Sequence, residues 1–344
     1  MPSHSRSRVR IIAASLLTAA ALYGPGLPTA SAAGTLTVTI DGSTVTVAGS
    51  TGADVTSISL DNTSIRITNV LSGPPGCSFP SDDVMECAGS FTEVHVSTGK
   101  GDDDILAFFG AGDRLVADGG AGKDDILLYD GYGLLRGGVG NDYLGVTSNN
   151  AGPVSLQGGA GNDLVDLSSA GDSDEPAFGD GGSGNDIVYG SGWTDRLHGG
   201  GGNDEVYADP NFTSSAADIV NGGDGKDVLI GALGGDAILG GAGVDVIEGG
   251  EGADLIWAGS GNDVVRAEPQ AEFSPSIREE IYGEEGNDTI TLSIRRTLVS
   301  GGEGNDVITS TNYTDDEVEC AEGKDKYRSD PTDVLSDCET PLED

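Results

Sequence analysis

One short pattern recurs along most of this chain and constrains it more than any other feature. GGAGKD at 119–124, GGVGND at 137–142, GGAGND at 158–163, GGSGND at 181–186, GGGGND at 199–204, GGDGKD at 222–227, GGAGVD at 240–245, GGEGAD at 249–254 and GGEGND at 301–306 all fit GGxGxD. Two places after each Asp stands an aliphatic residue: Ile126, Leu144, Val165, Val188, Val206, Leu229, Ile247, Ile256 and Ile308. Looser copies end at Asp103, Asp236, Asp263 and Asp288, and the Asp recurs every nine residues from Asp218 through Asp227, Asp236, Asp245 and Asp254 to Asp263. Six residues with two or three glycines predict a turn with positive φ and close backbone approach, which glycine adopts cheaply. The residues that follow, such as Asp245-Val246-Ile247, predict a short strand whose alternate side chain points inward. One such unit cannot bury its aliphatic alone, so copies must stack. The expected class is all-β.

These residues resemble the GGxGxDxUx nonapeptide of the RTX, or hemolysin-type, calcium-binding proteins, over roughly residues 98 to 335. The resemblance implies a right-handed parallel β-roll (β-solenoid) with two nonapeptides per coil, and several calcium ions as the cofactor. Two turn edges follow from that coil. The first runs through Asp103, Asp124, Asp142, Asp163, Asp186, Asp204, Asp227, Asp245, Asp263, Asp288, Asp306 and Asp325. The second reads Asp113, Gly133, Val154, an irregular stretch near 170–177, Asp195, Asp218, Asp236, Asp254, Glu279, Thr297 and Asp316. The expected metal ligands are the Asp residues of the first edge together with Asp218, Asp236 and Asp254 of the second. Stacked carboxylates about 4.8 Å apart repel one another, and six to eight hard oxygens are what calcium takes. The second edge also carries the extra residues, at 148–150, 172–176, 210–214 and 270–276, and insertions of this kind map to a binding face in repeat proteins.

Composition agrees with a thin aliphatic core: glycine supplies 57 of 344 residues and aromatics 5%. Acidic residues number 57 against 17 basic ones, a net charge of -40. That balance excludes nucleic acid and anionic membrane as partners, since both need basic patches. The first 32 residues, a basic MPSHSRSRVR, an apolar IIAASLLTAAAL and a small-x-small Ala30-Ser31-Ala32, predict a signal peptide and a secreted, extracellular protein without membrane insertion. Residues 33–97 predict a short N-terminal β cap, with a hairpin around Asp41-Gly42. Residues 98–335 are the repeat region, and 336–344 an acidic tail. In an exported chain the four cysteines read as two local disulfides, Cys77–Cys87 and Cys320–Cys338.

Signals for catalysis are weak. His95 and His198 are the histidines outside the leader, and neither HExxH nor G-x-S-x-G occurs. His198 reads as a solvated surface residue, and Trp193, Trp257, Tyr189 and Tyr207 as packing residues within the repeats. The expected function is a non-enzymatic, calcium-binding β-roll. The alternatives are an adhesin that recognises an extracellular glycan or cell-surface component, and a polysaccharide-active enzyme built on the solenoid.

Overall fold

The Val, Ile and Leu that follow each Asp point inward and form a single aliphatic spine. In the computed structural model Ile126, Leu144, Val165, Val188, Val206, Leu229, Ile247 and Ile308 are buried from one side of that spine, and Leu115, Leu135, Leu156, Leu197, Val220, Ile238, Ile256, Ile281, Val299 and Val318 from the other. The structure describes residues 36–342 apart from 53, 61–62, 71, 82, 111, 149–151, 172–174, 213, 268–277, 293–295 and 313. The expected signal peptide, the insertion at 270–276 and parts of those at 148–150, 172–176 and 210–214 lie outside the described residues. All described residues belong to one unit, Ala32–Asp344.

Among the described residues there is no helix, and the strands stack in parallel coils as a β-solenoid of about 12 turns. The chain passes from a strand of one sheet, such as Ala237–Gly243, through a turn into a strand of the other, Val246–Glu251, and back to Leu255–Gly261 one coil further on. Each strand pairs in parallel with its counterpart in the next coil, Ala237 opposite Leu255 and Gly241 opposite Gly259. The first sheet has 15 strands. Pairings in the second form one open line, from Cys77–Ser81 at one end to Thr340–Pro341 at the other.

Both ends depart from the sequence-based outline. Parallel stacking begins inside the expected cap, where Thr44–Ala48 pairs with Glu93–Lys100 and Val55–Leu60 with Asp104–Phe108. Antiparallel additions then cover that end: Thr37–Asp41, Ser64–Thr68, Cys77–Ser81 and Val84–Ala88. At the other end the acidic segment is no loose tail, since Val334–Ser336 and Thr340–Pro341 extend both sheets. The disulfides Cys77–Cys87 and Cys320–Cys338 fasten these two ends.

Candidate metal-binding edges

Glycine is required twice over in the repeated turn. At its second and fourth positions φ is positive, 101° at Gly120 and 145° at Gly122. A Cβ there would also lie 2.2 Å from the Gly99 carbonyl oxygen and 1.7 Å from that of Gly101, one coil back. Coils therefore stack turn on turn, and every Asp that ends a turn falls directly above the last.

The result on the first edge is an unbroken ladder. The backbone N–H of Asp103 donates to Oδ1 of Asp124, and the same bond repeats through Asp142, Asp163, Asp186, Asp204, Asp227, Asp245, Asp263, Asp288 and Asp306 to Asp325, at 2.7–2.9 Å. The structure brings all twelve expected first-edge residues together. It adds a rung at each end: Asp54 donates its N–H to Asp103 Oδ1, and Asp325 donates to Glu339 Oε2. Asp54 closes GSTGAD at 49–54, a copy hidden by Ser50 where the pattern has Gly.

Beside this buried row runs an exposed one. The fifth turn residue donates its N–H backwards to the side-chain oxygen of its predecessor, as Asn162 to Asn141, Asn185 to Asn162, Asn203 to Asn185, Asn287 to Asn262 and Asn305 to Asn287. Sequence reasoning treated that Asn only as part of a motif, although its recurrence at one position was the available signal.

The second edge is partial. Asp195 donates to Asp218, Asp218 to Asp236 and Asp236 to Asp254, at 2.8–3.0 Å. Register continues to Glu279, then to Thr297 and Asp316, where Thr297 N–H donates to Asp316 Oδ1. One assignment is corrected: Gly133 lies opposite Leu115, not Asp113, because the tight Asp130-Gly131 turn shortens that coil. Asp113 instead accepts the Gly110 N–H within its own turn.

None of the expected ligand carboxylates exceeds 3% exposure, yet each first-edge Asp uses only one oxygen in the ladder. Among the described residues Oδ2 of Asp103, Asp124, Asp142, Asp163, Asp186, Asp204, Asp227, Asp245, Asp263, Asp288, Asp306 and Asp325, and of Asp236 on the second edge, is buried with no hydrogen-bond partner. Leaving a buried carboxylate oxygen unmatched costs free energy. Burial pushes the carboxyls up, to about 7 at Asp124, Asp163, Asp245 and Asp288 and to about 6 at Asp186 and Asp204. Asp218 rises to about 7 and Asp236 to about 8 for the same reason. The N–H that each one accepts acts in the opposite sense, while neighbouring carboxylates add to the rise.

The orphaned oxygen faces a small cradle. A Cβ on Gly137 would lie 2.4 Å from Asp142 Oδ2 and 2.7 Å from the Gly158 carbonyl oxygen of the next coil, and at Gly158 both distances, to Asp163 Oδ2 and Gly181 O, are 2.5 Å. The first glycine of these two turns thus leaves open a corner walled by one carboxylate and one carbonyl oxygen. Among the described residues no three Asp, Glu, His or Cys side chains converge on one point. A cation there would draw on fewer than three carboxylates and complete its shell with main-chain carbonyls and water, a mixture that suits calcium.

The remaining candidates lie elsewhere. His198 Nδ1 is 3.1 Å from Asp180 Oδ1 on the outer face, which raises the imidazole pKa. Trp193 is exposed at a turn. Tyr189 packs on Tyr207 and Trp257 on Tyr282, in both cases across coils and outside the aliphatic core.

Residues 150–173, 180–210, 212–238, 239–268, 279–293 and 298–312 match the family model described as RTX calcium-binding nonapeptide repeat. A comparison with curated proteins finds no match.

Proposed function

Because its residues 150–312 carry RTX calcium-binding nonapeptide repeats, we propose that this chain is a secreted structural protein whose two turn edges hold calcium and whose folding depends on it. The row of buried Asp Oδ2 atoms without partners carries this reading. Asp103 to Asp325 on the first edge, with Asp218, Asp236 and Asp254 on the second, serve as side-chain ligands. Bound calcium supplies positive charge that offsets the carboxylate ladder and ties successive turns together. The chain supplies the rest: its glycines admit the close carbonyls, and the Asp N–H ladder fixes each carboxylate.

The energetic scale favours dependence on the ion. Sites with Kd of about 10⁻⁴ to 10⁻³ M, usual for extracellular modules, gain about 1.4 kcal/mol each when free calcium is ten times Kd. Ten such sites contribute on the order of 14 kcal/mol, comparable with a whole domain's stability. A net charge of -40 works against the metal-free fold. Circular dichroism of the chelated protein, followed by addition of each cation, tests this. Millimolar calcium restores β structure cooperatively, whereas magnesium, which demands a tight octahedron, does not. A chelated protein with full β signal and unchanged Tm contradicts the reading.

Export rests on the leader-like residues 1–32. The mature protein recovered from a secreting host is expected to begin at Ala33, and an intact leader on it contradicts export by this route.

A further inference from the structure

Trp257 breaks the pattern of its column. Counterparts in neighbouring coils are Asn221, Leu239, Tyr282 and Ser300, so three apolar side chains on successive coils form a platform on the outer face of the first sheet. The Trp257 and Tyr282 rings stack, with centroids 6.3 Å apart and planes 17° from parallel. Beside them lies an open groove of about 1010 Å³, floored by Gly241, Gly259, Gly302 and Ala321. Leu239 and Trp257 line it together with Glu284, Glu285, Glu303 and Glu322, and all four glutamates are exposed. Glu285, Glu303 and Glu322 sit opposite one another on consecutive strands. Among the described residues none of the four is in an ion pair. Glu284 also stands at a second turn position, with φ 69°, where the adjoining coils have Gly259 and Gly302.

Like charges directly opposite across strands are destabilising, and an aromatic face attracts cations, guanidinium above all. A flat aromatic platform flanked by a row of unbalanced carboxylates is therefore complementary to arginine. Acidic glycans, nucleic acid and a second copy of this chain, itself at -40, are repelled. A neutral sugar could stack on Trp257 but would leave the glutamate row uncompensated. We propose that this groove docks an extended, arginine-bearing basic segment of a partner protein, with a guanidinium against Trp257 and Tyr282 and further basic side chains along Glu285, Glu303 and Glu322. The site uses side chains of the sheet face and turn surface, not the buried turn carboxylates, so it stands or falls separately from the calcium reading.

The test uses the full calcium-loaded chain and a synthetic nine-residue peptide of alternating Arg and Ser, measured by titration calorimetry. Saturable binding is expected, weakened about tenfold by Trp257→Leu and by Glu285→Gln with Glu303→Gln. Glu86→Gln with Glu205→Gln, which removes two charges from the other sheet, should change it by less than about twofold. Calcium stoichiometry and the β signal should be the same in all variants. Equal weakening by both double variants would reduce the effect to general charge and overturn the proposal. So would absence of saturable binding at about 1 mM peptide, tighter binding of a neutral hexasaccharide, or loss of a calcium ion from the Glu285/Glu303 variant.

Discussion

The two turn edges are built from the same nine-residue unit and have diverged. On the first edge one turn geometry repeats coil after coil, and the Asp ladder runs from Asp54 to Asp325 without a break. On the second, a tight Asp130-Gly131 turn, the extra residues at 210–214 in the sequence and the substitution of Glu279 and Thr297 for Asp leave a ladder over only part of the length. The difference shows what stacking demands. One edge with strict Gly and Asp suffices to hold coils in register over a shared aliphatic core, which releases the other edge to accept insertions.

The largest expected effect is steric, and it separates the strict turns from the irregular end of the second edge. A Cβ on Gly243 of the first edge would lie 1.3 Å from the Gly225 carbonyl oxygen, and one on Gly252 in the regular stretch of the second edge 1.2 Å from that of Gly234, whereas one on Gly112, in an irregular turn of the second edge, meets nothing within 4 Å. Gly243→Ala is expected to destabilise by about 4 kcal/mol or more and Gly112→Ala by no more than about 0.5 kcal/mol. Thermal unfolding in calcium checks this, and similar losses would break the comparison.

Next in size is the carboxylate. Asp245→Ala removes the acceptor for the Asp227 N–H and, on the proposed function, a calcium ligand, which should cost about 2 to 4 kcal/mol in calcium and lower the bound-calcium count. Asp245→Asn keeps the acceptor and loses the charge, so it should lower the count while stabilising the chelated form. Thr297→Ala should leave the count unchanged, because its ladder bond comes from the backbone. Equal calcium losses at Asp245 and Thr297 would refute the distinction between the edges.

Acid offers a third handle. The folded pKa values of Asp186, Asp124 and Asp236 stand at about 6, about 7 and about 8, above the ordinary Asp value of 3.8. Their neutral forms therefore stabilise the metal-free fold fully below pH 3.8, and that contribution fades as pH rises through the folded values. Chelated protein should keep more β signal at pH 4.5 than at pH 8, and the Tm gain from calcium should be larger at pH 8. A chelated protein indifferent to pH would contradict the burial of an ionisable row.

The smallest effect concerns the outer row. Asn287 joins Asn262 to Asn305 in exposed hydrogen bonds, so Asn287→Ala should cost about 0.5 to 1 kcal/mol and leave the calcium count intact. A lost ion would move the site outward from Asp to Asn.

Much of this was legible in the sequence because glycine and Asp recur at fixed positions, and position in a solenoid is geometry. Regular spacing gave the register of the first edge and the inward aliphatics. Ser50 hid the rung at Asp54, since the pattern was recognised through paired glycines. The Asp113 register failed because one short turn shifts a coil without disturbing the Asp spacing on the opposite edge. The groove at Trp257 was invisible for another reason: Leu239, Trp257 and Tyr282 are 18 and 25 residues apart in sequence and meet only once the coils are stacked.

Diffraction from crystals grown in calcium, at a wavelength where calcium scatters anomalously, tests the central claim most directly. The account predicts a continuous row of anomalous peaks along the first edge, each against the Oδ2 atoms orphaned here, and a shorter row on the second edge confined to the stretch from Asp195 to Glu279. A well-ordered first edge without anomalous peaks, its Oδ2 atoms matched by water or by protons, would contradict it.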